Sequence, residues 1–241
     1  KWGSFDYSQQ EPRMTVHYAA SIGNGYEGST ELVEAYQKAS TDFHQTVADL
    51  VGIERVQAKT IGLGLMYGMG KNKLAASLGV SKEEATVLIS KYNRKVPFVK
   101  MLSDRCMQTA NDKGVIRTKK GRKCRFDMWE PRDFGLYTAE TFDNAVAKYG
   151  RENIKRAYTY KALNRLIQGS SADQTKQAML SCYEAGHLPI LQIHDELCFN
   201  ISKTNTKDTQ SIKKIMESCI EFKLPFVVDV KTGGSWGTAH D

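Results

Sequence analysis

Two stretches far apart in the chain set carboxylates beside apolar runs. In KWGSFDYSQQEPR, Asp6 closes a run that reads as a strand, and Glu11 follows where a helix begins. In LPILQIHDELCFNI, Asp195 and Glu196 stand at or beside a hairpin tip, among Ile190, Leu191, Ile193, Leu197 and Phe199. Alone, the second stretch reads equally well as a polar turn with solvated acids. Carboxylates beside buried strands are costly unless paired or metal-bound. If the two strands are neighbours, Asp6 and Asp195 can hold a pair of Mg²⁺ ions about 3.5–4 Å apart, which lowers the pKa of an attacking hydroxyl and stabilises a leaving oxygen in phosphoryl transfer. Mg²⁺ takes few protein carboxylates and leaves its other positions to water and phosphate. Two acids are then enough.

The bulk of the chain is compatible with that chemistry without demanding it. It has 241 residues, 41% hydrophobic and 25% charged, as in ordinary globular proteins. The net charge is +7 and the pI about 9.0, a moderate excess that favours a polyanionic partner, although many solvated enzymes are as basic. Five scattered cysteines without a CxxC argue against a disulfide framework and a zinc site. No apolar run approaches the roughly 18 residues of a membrane span. The first residue is Lys, not Met, so the chain reads as part of something longer or as a processed product.

The elements that must position the acids can be read in outline. Residues 1–6 form a strand and 12–20 a short helix, before the Gly-rich loop 21–30. Residues 31–51 read as one helix. Another runs from Glu54 to Met66, although Gly62 and Gly64 weaken it by about 1 kcal/mol each. Ser81 is a helix N-cap followed by an acidic first turn, and that helix stops before Pro97. Residues 98–113 are helical again. Residues 114–126 form a basic hairpin carrying Arg117, Lys119, Lys120, Arg122, Lys123 and Arg125. Residues 127–150 read as an inserted surface excursion. Helices follow at 151–167 and 171–185, then a hairpin over 188–201, a helix near 206–222 and a strand at 226–231. Strands scattered among long helices predict an α+β fold.

At the level of motifs, the sequence resembles the family A DNA polymerases, those related to bacterial DNA polymerase I. DYSQQEPR is similar to the family's motif A and QIHDEL to its motif C. RVQAKTIGLGLMYGMG (55–70) matches motif B, with Arg, Lys and Tyr-Gly at the family spacing. ALNRLIQGSSAD (162–173) resembles the Asn-x-x-x-Gln-Gly segment, and VDVKTGGSWGTAH the usual C-terminus. The wording QQEPR points to a bacteriophage branch. The resemblance implies a right-hand polymerase fold, with a palm sheet bearing the catalytic carboxylates and helical fingers. It places the palm with motif A at 1–30, the fingers at 31–113 with the motif B helix at about 54–67, and the basic hairpin, a variable insertion and the remaining palm at 114–241, with motif C at about 190–200.

The resemblance also implies roles. Asp6 and Asp195, with the backbone carbonyl of Tyr7, would bind two Mg²⁺ ions, Mn²⁺ being a substitute. Glu196 would be a nearby catalytic helper rather than a strict ligand, or a solvated acid adding negative potential. Glu11 would be the steric gate that excludes a ribose hydroxyl; Pro12 departs from the family's common Leu and suits a first helical position. Arg55 and Lys59, four apart on one helix face, would hold the dNTP triphosphate, and Lys59 would protonate the leaving pyrophosphate. His44 in DFHQ would touch the β-phosphate, and Tyr67 would stack near the templating pair. Leu63 stands where many relatives carry Phe or Tyr; without a hydroxyl it cannot replace a missing 3′-OH, so dideoxynucleotides should be disfavoured. Asn164 and Gln168 would check the minor groove of the primer–template. His194 and Arg13 would contact the primer–template, and Tyr160 departs from a common Arg there. The basic hairpin is either a phosphate-backbone contact or a solvated charged face.

The family's 3′–5′ exonuclease, thumb and Thr-Gly-Arg segment have no counterpart in these residues; three alternatives stay open, a separate upstream chain that would be a partner, a removed segment, or a part that lies outside this sequence. The expected function is a template-directed DNA polymerase core that transfers a dNTP to a primer 3′-OH in the cytoplasm of a bacterial or phage-infected cell, with no membrane partner. The alternative is a non-catalytic DNA-binding fragment that is inactive without a thumb-bearing partner.

Overall fold

The computed structural model describes residues 1–37, 42–133, 135, 137–202 and 206–240. Strand β1 (Trp2–Tyr7) opens the chain and leads into helices α1 (Gln10–Ala20) and α2 (Ser29–Gln37). Helices α3 (Phe43–Val51), α4 (Arg55–Met66), α5 (Lys71–Leu78), α6 (Lys82–Lys95) and α7 (Pro97–Lys113) follow. Next come the hairpin β2 (Val115–Arg117) and β3 (Lys123–Arg125), then β4 (Trp129–Pro131), α8 (Phe142–Tyr149) and β5 (Ile154–Arg156). The long helix α9 (Ala162–Glu184) precedes β6 (Pro189–Ile193), β7 (Glu196–Asn200), α10 (Thr206–Ser218), β8 (Val228–Gly233) and α11 (Trp236–His240). The α+β expectation holds.

The chain divides into two compact units. The first takes the described residues of Lys1–Gly25, Ser29–Phe43 and Gln168–Asp241. Its centre is an antiparallel sheet in the order β6-β7-β1-β8. Alternation along the strands sorts the side chains onto two faces. Phe5, Tyr7, Leu197, Phe199 and Val228 are buried on one face. Phe5 meets Phe199 edge-on at 5.2 Å, and the Tyr7 hydroxyl donates to the Met216 carbonyl of α10 at 2.6 Å. Ser4, Asp6, Glu196, Cys198 and Asp229 share the other face, because Asp6 pairs with Glu196 on one side and Asp229 on the other.

The second unit takes Tyr26–Gly28 and the described residues of His44–Ile167. Two glycines in α4, which the sequence marks as weak points, have a packing reason. A Cβ on Gly62 would stand 3.0 Å from the Tyr92 hydroxyl, and one on Gly64 would stand 3.0 Å from Leu74 Cδ1. Close approach of α6 and α5 therefore offsets the propensity cost. Ser81 caps α6 as expected: its Oγ accepts from the Glu84 amide at 3.1 Å, and the Glu84 carboxylate accepts from the Ser81 amide at 2.9 Å. All six cations of the β2–β3 hairpin are exposed.

Several expectations are corrected. The single helix over 31–51 is two helices, ending at Gln37 and restarting at Phe43; residues 38–41 lie outside the described residues. The described residues of the excursion 127–150 include β4 and α8, anchored by β5, and 151–161 holds two short 3₁₀ turns, Arg151–Asn153 and Thr159–Lys161, on either side of β5 instead of an α-helix. Arg156 of β5 lies 4.6 Å from the Trp129 ring and donates to the Phe126 and Asn111 carbonyls. The expected break at 168–170 is absent, and α9 runs through Gly169. Tertiary bonds outweigh propensity there: the Ser170 hydroxyl meets Tyr18 at 2.6 Å, and buried Gln174 accepts from Gln10 at 3.0 Å. The described residues of 29–43 group with the sheet and those of 114–167 with the helices. Helices α5 and α11 were not anticipated.

Among the described residues the Tyr92 hydroxyl is buried without a hydrogen-bond partner. An unmade buried hydrogen bond costs about 1–3 kcal/mol. Tyr92→Phe is expected to stabilise the protein by about 1 kcal/mol in denaturant titrations followed by circular dichroism; a loss of stability would show that the hydroxyl is satisfied.

Candidate active site

The geometry of the sheet unit brings together two acids that are far apart in sequence. Asp6 occupies the penultimate position of β1, and Asp195 forms with His194 the two-residue turn between β6 and β7. The Tyr7 amide donates to the Asp195 carbonyl at 3.4 Å, and the Asp6 and Asp195 side chains are within hydrogen-bonding contact. Their convergence follows from register: once Phe5 pairs with Leu197, the turn must abut the end of β1.

Two strained residues flank the pair. His194 has φ 53°, and Gln9, the residue before α1, has φ 53° and ψ 46°. Left-handed backbone is uncommon for residues other than glycine. At Gln9 it lets a helix begin three residues after β1 ends, and its side chain accepts from the Phe43 amide at 2.8 Å. The sharp entry places Glu11, half-buried, in the first turn of α1.

Electrostatics mark the pair as a cation-seeking place. Burial raises the Asp6 carboxyl to about 6, reinforced by the charges of Asp195, Glu196 and Asp229 and relieved by His240. Asp195 is also raised, chiefly by burial and further by Glu196, while its own backbone amide, His194 and the bond to Asp6 pull the other way. Glu196 behaves differently. Burial would raise it, but hydrogen bonds from Cys198, Ser4 and His240 bring it below the ordinary carboxylate range. Its Oε1 accepts from the Ser4 hydroxyl at 2.6 Å and the Cys198 thiol at 2.9 Å, and its Oε2 lies 3.2 Å from His240 Nε2. At 7% exposure, Glu196 is not the solvated acid of the alternative reading.

Two adjacent carboxylates with hard oxygen donors fit Mg²⁺, which takes one or two protein carboxylates and fills the rest with water and phosphate. Among the described residues no group of three or more His, Cys, Asp or Glu forms a protein-only metal cage. The donor set agrees with that mode.

The other sequence-predicted residues fall as follows. Arg13 is corrected: it is 3% exposed, donates to the Ser8 and Pro225 carbonyls at 2.9 and 2.7 Å, and lies 4.3 Å from the Tyr36 ring centre. Buried behind carbonyls, it ties α1 to the segment before β8 instead of facing nucleic acid. Tyr7 buries its ring, and His194 is exposed at the turn. In the helical unit, Arg55, Lys59 and Leu63 recur every fourth residue of α4, and Tyr67 follows at its C-cap. Arg55, Lys59 and Tyr67 are exposed and Leu63 is half-buried, while Ala58, Ile61 and Gly62 face inward. His44 is buried at 5% exposure, not on the surface. Asn164, half-buried, and Gln168, exposed, lie four apart on α9.

Sequence reasoning missed Ser4, Cys198, Asp229 and His240. The first three carry a usable signal, since each lies an even number of residues from a recognised acid or directly opposite one on the same sheet face. His240 carries none.

Known proteins resemble this chain over nearly all of its length. The sequence profile described as "DNA polymerase family A" matches residues 1–238. The DNA-directed DNA polymerase of Pseudomonas phage M6 is 38% identical over 98% of this chain and 38% of its own length. DNA polymerase I of Caldicellulosiruptor bescii is 31% identical over 96% of this chain and 26% of its own length. This chain thus spans well under half of either relative. A solved structure described as the POL domain of Pol1 from M. smegmatis in complex with DNA primer-template and dNTP superimposes with a TM-score of 0.77 at 27% identity, over all of this chain and 40% of that one. With the profile spanning nearly every residue and the two motif acids side by side, the chain belongs to DNA polymerase family A.

Proposed function

We propose that this chain is the catalytic core of a template-directed DNA polymerase, transferring a nucleotide from a dNTP to a primer 3′-hydroxyl with release of pyrophosphate. The observation that carries the reading is the meeting of Asp6, at the end of β1, with Asp195, in the turn between β6 and β7. A module that only binds DNA, a polyanion, gains nothing from concentrating carboxylates there.

In this reading Asp6, Asp195 and the Tyr7 carbonyl hold divalent ions, two Mg²⁺ with Mn²⁺ as substitute. When bound, these ions supply charge neutralisation and a lowered pKa for the attacking hydroxyl. Glu196, with both carboxylate oxygens engaged, acts by holding the sheet face rather than as a ligand. Glu11 serves as the sugar gate from the first turn of α1, where its backbone is fixed by the turn at Gln9. His194, exposed beside Asp195, meets the primer terminus.

The α4 stripe in the helical unit takes the nucleotide. Arg55 and Lys59 draw in the triphosphate, and Lys59 donates a proton to the departing pyrophosphate. His44 supports the β-phosphate from a buried position, and Tyr67 supports the templating pair. Asn164 and Gln168 sense minor-groove acceptors common to all correct pairs. The six exposed cations of the β2–β3 hairpin contact phosphate backbone, with affinity that falls as salt rises. Primer–template, dNTP and an upstream chain contributing thumb and exonuclease are the proposed partners. Among the described residues, no helix is long and apolar enough to cross a membrane.

Primer extension with Mg²⁺, on this chain alone and with a candidate upstream chain, tests the reading. Asp6→Asn and Asp195→Asn should each reduce extension by roughly 10³-fold or more while the circular dichroism spectrum stays native. Extension at undiminished rate in either variant would end the assignment.

Asp6 also predicts a pH dependence of the metal-free chain. A carboxyl raised to about 6 binds its proton more tightly folded than unfolded. Its contribution to stability is therefore greatest below pH 4 and is lost as pH rises through 6. Asp6→Asn should melt higher than wild type at pH 8, with the difference closing near pH 4; parallel melting curves across that range would contradict the assigned environment.

Leu63 offers no hydroxyl to replace a missing 3′-OH. The wild-type chain should disfavour dideoxynucleotides, and Leu63→Tyr should narrow the preference by roughly ten- to a hundredfold, the worth of one hydrogen bond to a charged group. Comparable incorporation of both nucleotide types by wild type would refute it.

A further inference from the structure

The short helix α11 is built to deliver one imidazole to Glu196. Gly233 ends β8, and a Cβ there would lie 2.6 Å from the Ala239 amide nitrogen, so only glycine lets the chain fold back this closely. Ser235 and Thr238 lock the turn reciprocally: the Ser235 amide donates to Thr238 Oγ1 at 3.0 Å and the Thr238 amide to Ser235 Oγ at 3.3 Å. The His240 ring lies against Trp236 with centroids 4.6 Å apart, and its Nδ1 is 2.8 Å from the Trp236 carbonyl. Nδ1 donates to the Trp236 carbonyl and the two rings are tilted by 37°, which leaves Nε2 facing Glu196 Oε2 at 3.2 Å and Ser4 Oγ at 3.4 Å; with a carbonyl on one nitrogen and a carboxylate on the other, the ring donates to both as an imidazolium.

Glu196 follows Asp195 in sequence and stands opposite Asp6 in register. Its side chain is 9% accessible and that of His240 29%. A buried carboxylate that loses a charged or hydrogen-bonded partner turns toward whatever will solvate it. Here the open side of the sheet face is the Asp6–Asp195 pair itself, where a third mobile acid adds repulsion.

We propose that His240 is a positioning residue for the Asp6–Asp195 pair: by bonding the Glu196 carboxylate it fixes the His194–Asp195 turn against β1. The inference rests on the reading of Asp6 and Asp195 as the catalytic acids. Ser4 and Cys198 hold the other carboxylate oxygen, so both oxygens of Glu196 are engaged.

His240→Ala and His240→Gln separate positioning from simple packing, since Gln keeps a donor near Nε2. Three readouts apply to the full chain: extension kinetics in whichever preparation extends primers, Mn²⁺ binding without DNA or nucleotide by electron paramagnetic resonance, and amide exchange across residues 194–196. His240→Ala should lower kcat by about tenfold with the KM for dNTP little changed, weaken Mn²⁺ binding and speed exchange at the turn. His240→Gln should largely restore all three. Unchanged kcat and Mn²⁺ affinity in His240→Ala would overturn the proposal, as would equal losses in both variants. If wild type neither extends primers nor binds Mn²⁺, the catalytic reading fails by itself. Exchange at 194–196 then still decides the positioning claim, with faster exchange in His240→Ala supporting it and unchanged exchange rejecting it.

Discussion

Mutual repulsion of carboxylates governs the sheet unit. Strand pairing sets Asp6 between Glu196 and Asp229 and brings Asp195 against it, so negative charge is concentrated by backbone hydrogen bonds that do not depend on it. The unit tolerates this in two ways. Glu196 is drawn down by donors from Ser4, Cys198 and His240, while Asp6 is left partly solvated and raised. One acid is satisfied by hydrogen bonds from the protein, and the other keeps the repulsion of its neighbours.

The remaining architecture keeps this face in register. Phe5, Tyr7, Leu197 and Phe199 bury the opposite face, and a one-residue slip would exchange the acids with the core. The slip is therefore prohibitive. Gln9 and His194 accept left-handed backbone at the two ends where strand must give way at once to helix or to returning strand. Strain of this kind persists where surrounding packing over-determines it.

Much of this was legible in the letters, for identifiable reasons. Asp6 and Asp195 could be paired because each closes an apolar run and each lies in a motif of fixed wording. Ser81 announced its helix because a capping box is a local device. What the letters do not show is non-local. Arg13 looks like a nucleic-acid contact until the Pro225 carbonyl and Tyr36 are seen around it. The Gly-Ser-Ser at 169–171 looks like a break until Tyr18 and Gln10 bond into it from α1. Gly62 looks like a weak point until Tyr92 fills the space beside it. His240 is silent in sequence because its role depends on a fold-back that Gly233 permits. Side chains whose partners are close in sequence speak early; those whose partners are distant do not.

The placement of β1 at the middle of the sheet bears on how the protein is made. Ser4 and Glu196 touch across a sequence separation of 192, and the other edge of β1 is closed by residues beyond 227. On the ribosome, the first strand must wait as an unpaired apolar segment while the helical unit, whose contacts are far more local, can mature. Newborn chains are consequently most vulnerable to edge-to-edge misassociation in the interval before the final strands emerge, and the helical unit acts as a long covalent tether whose ends must meet before the acids can.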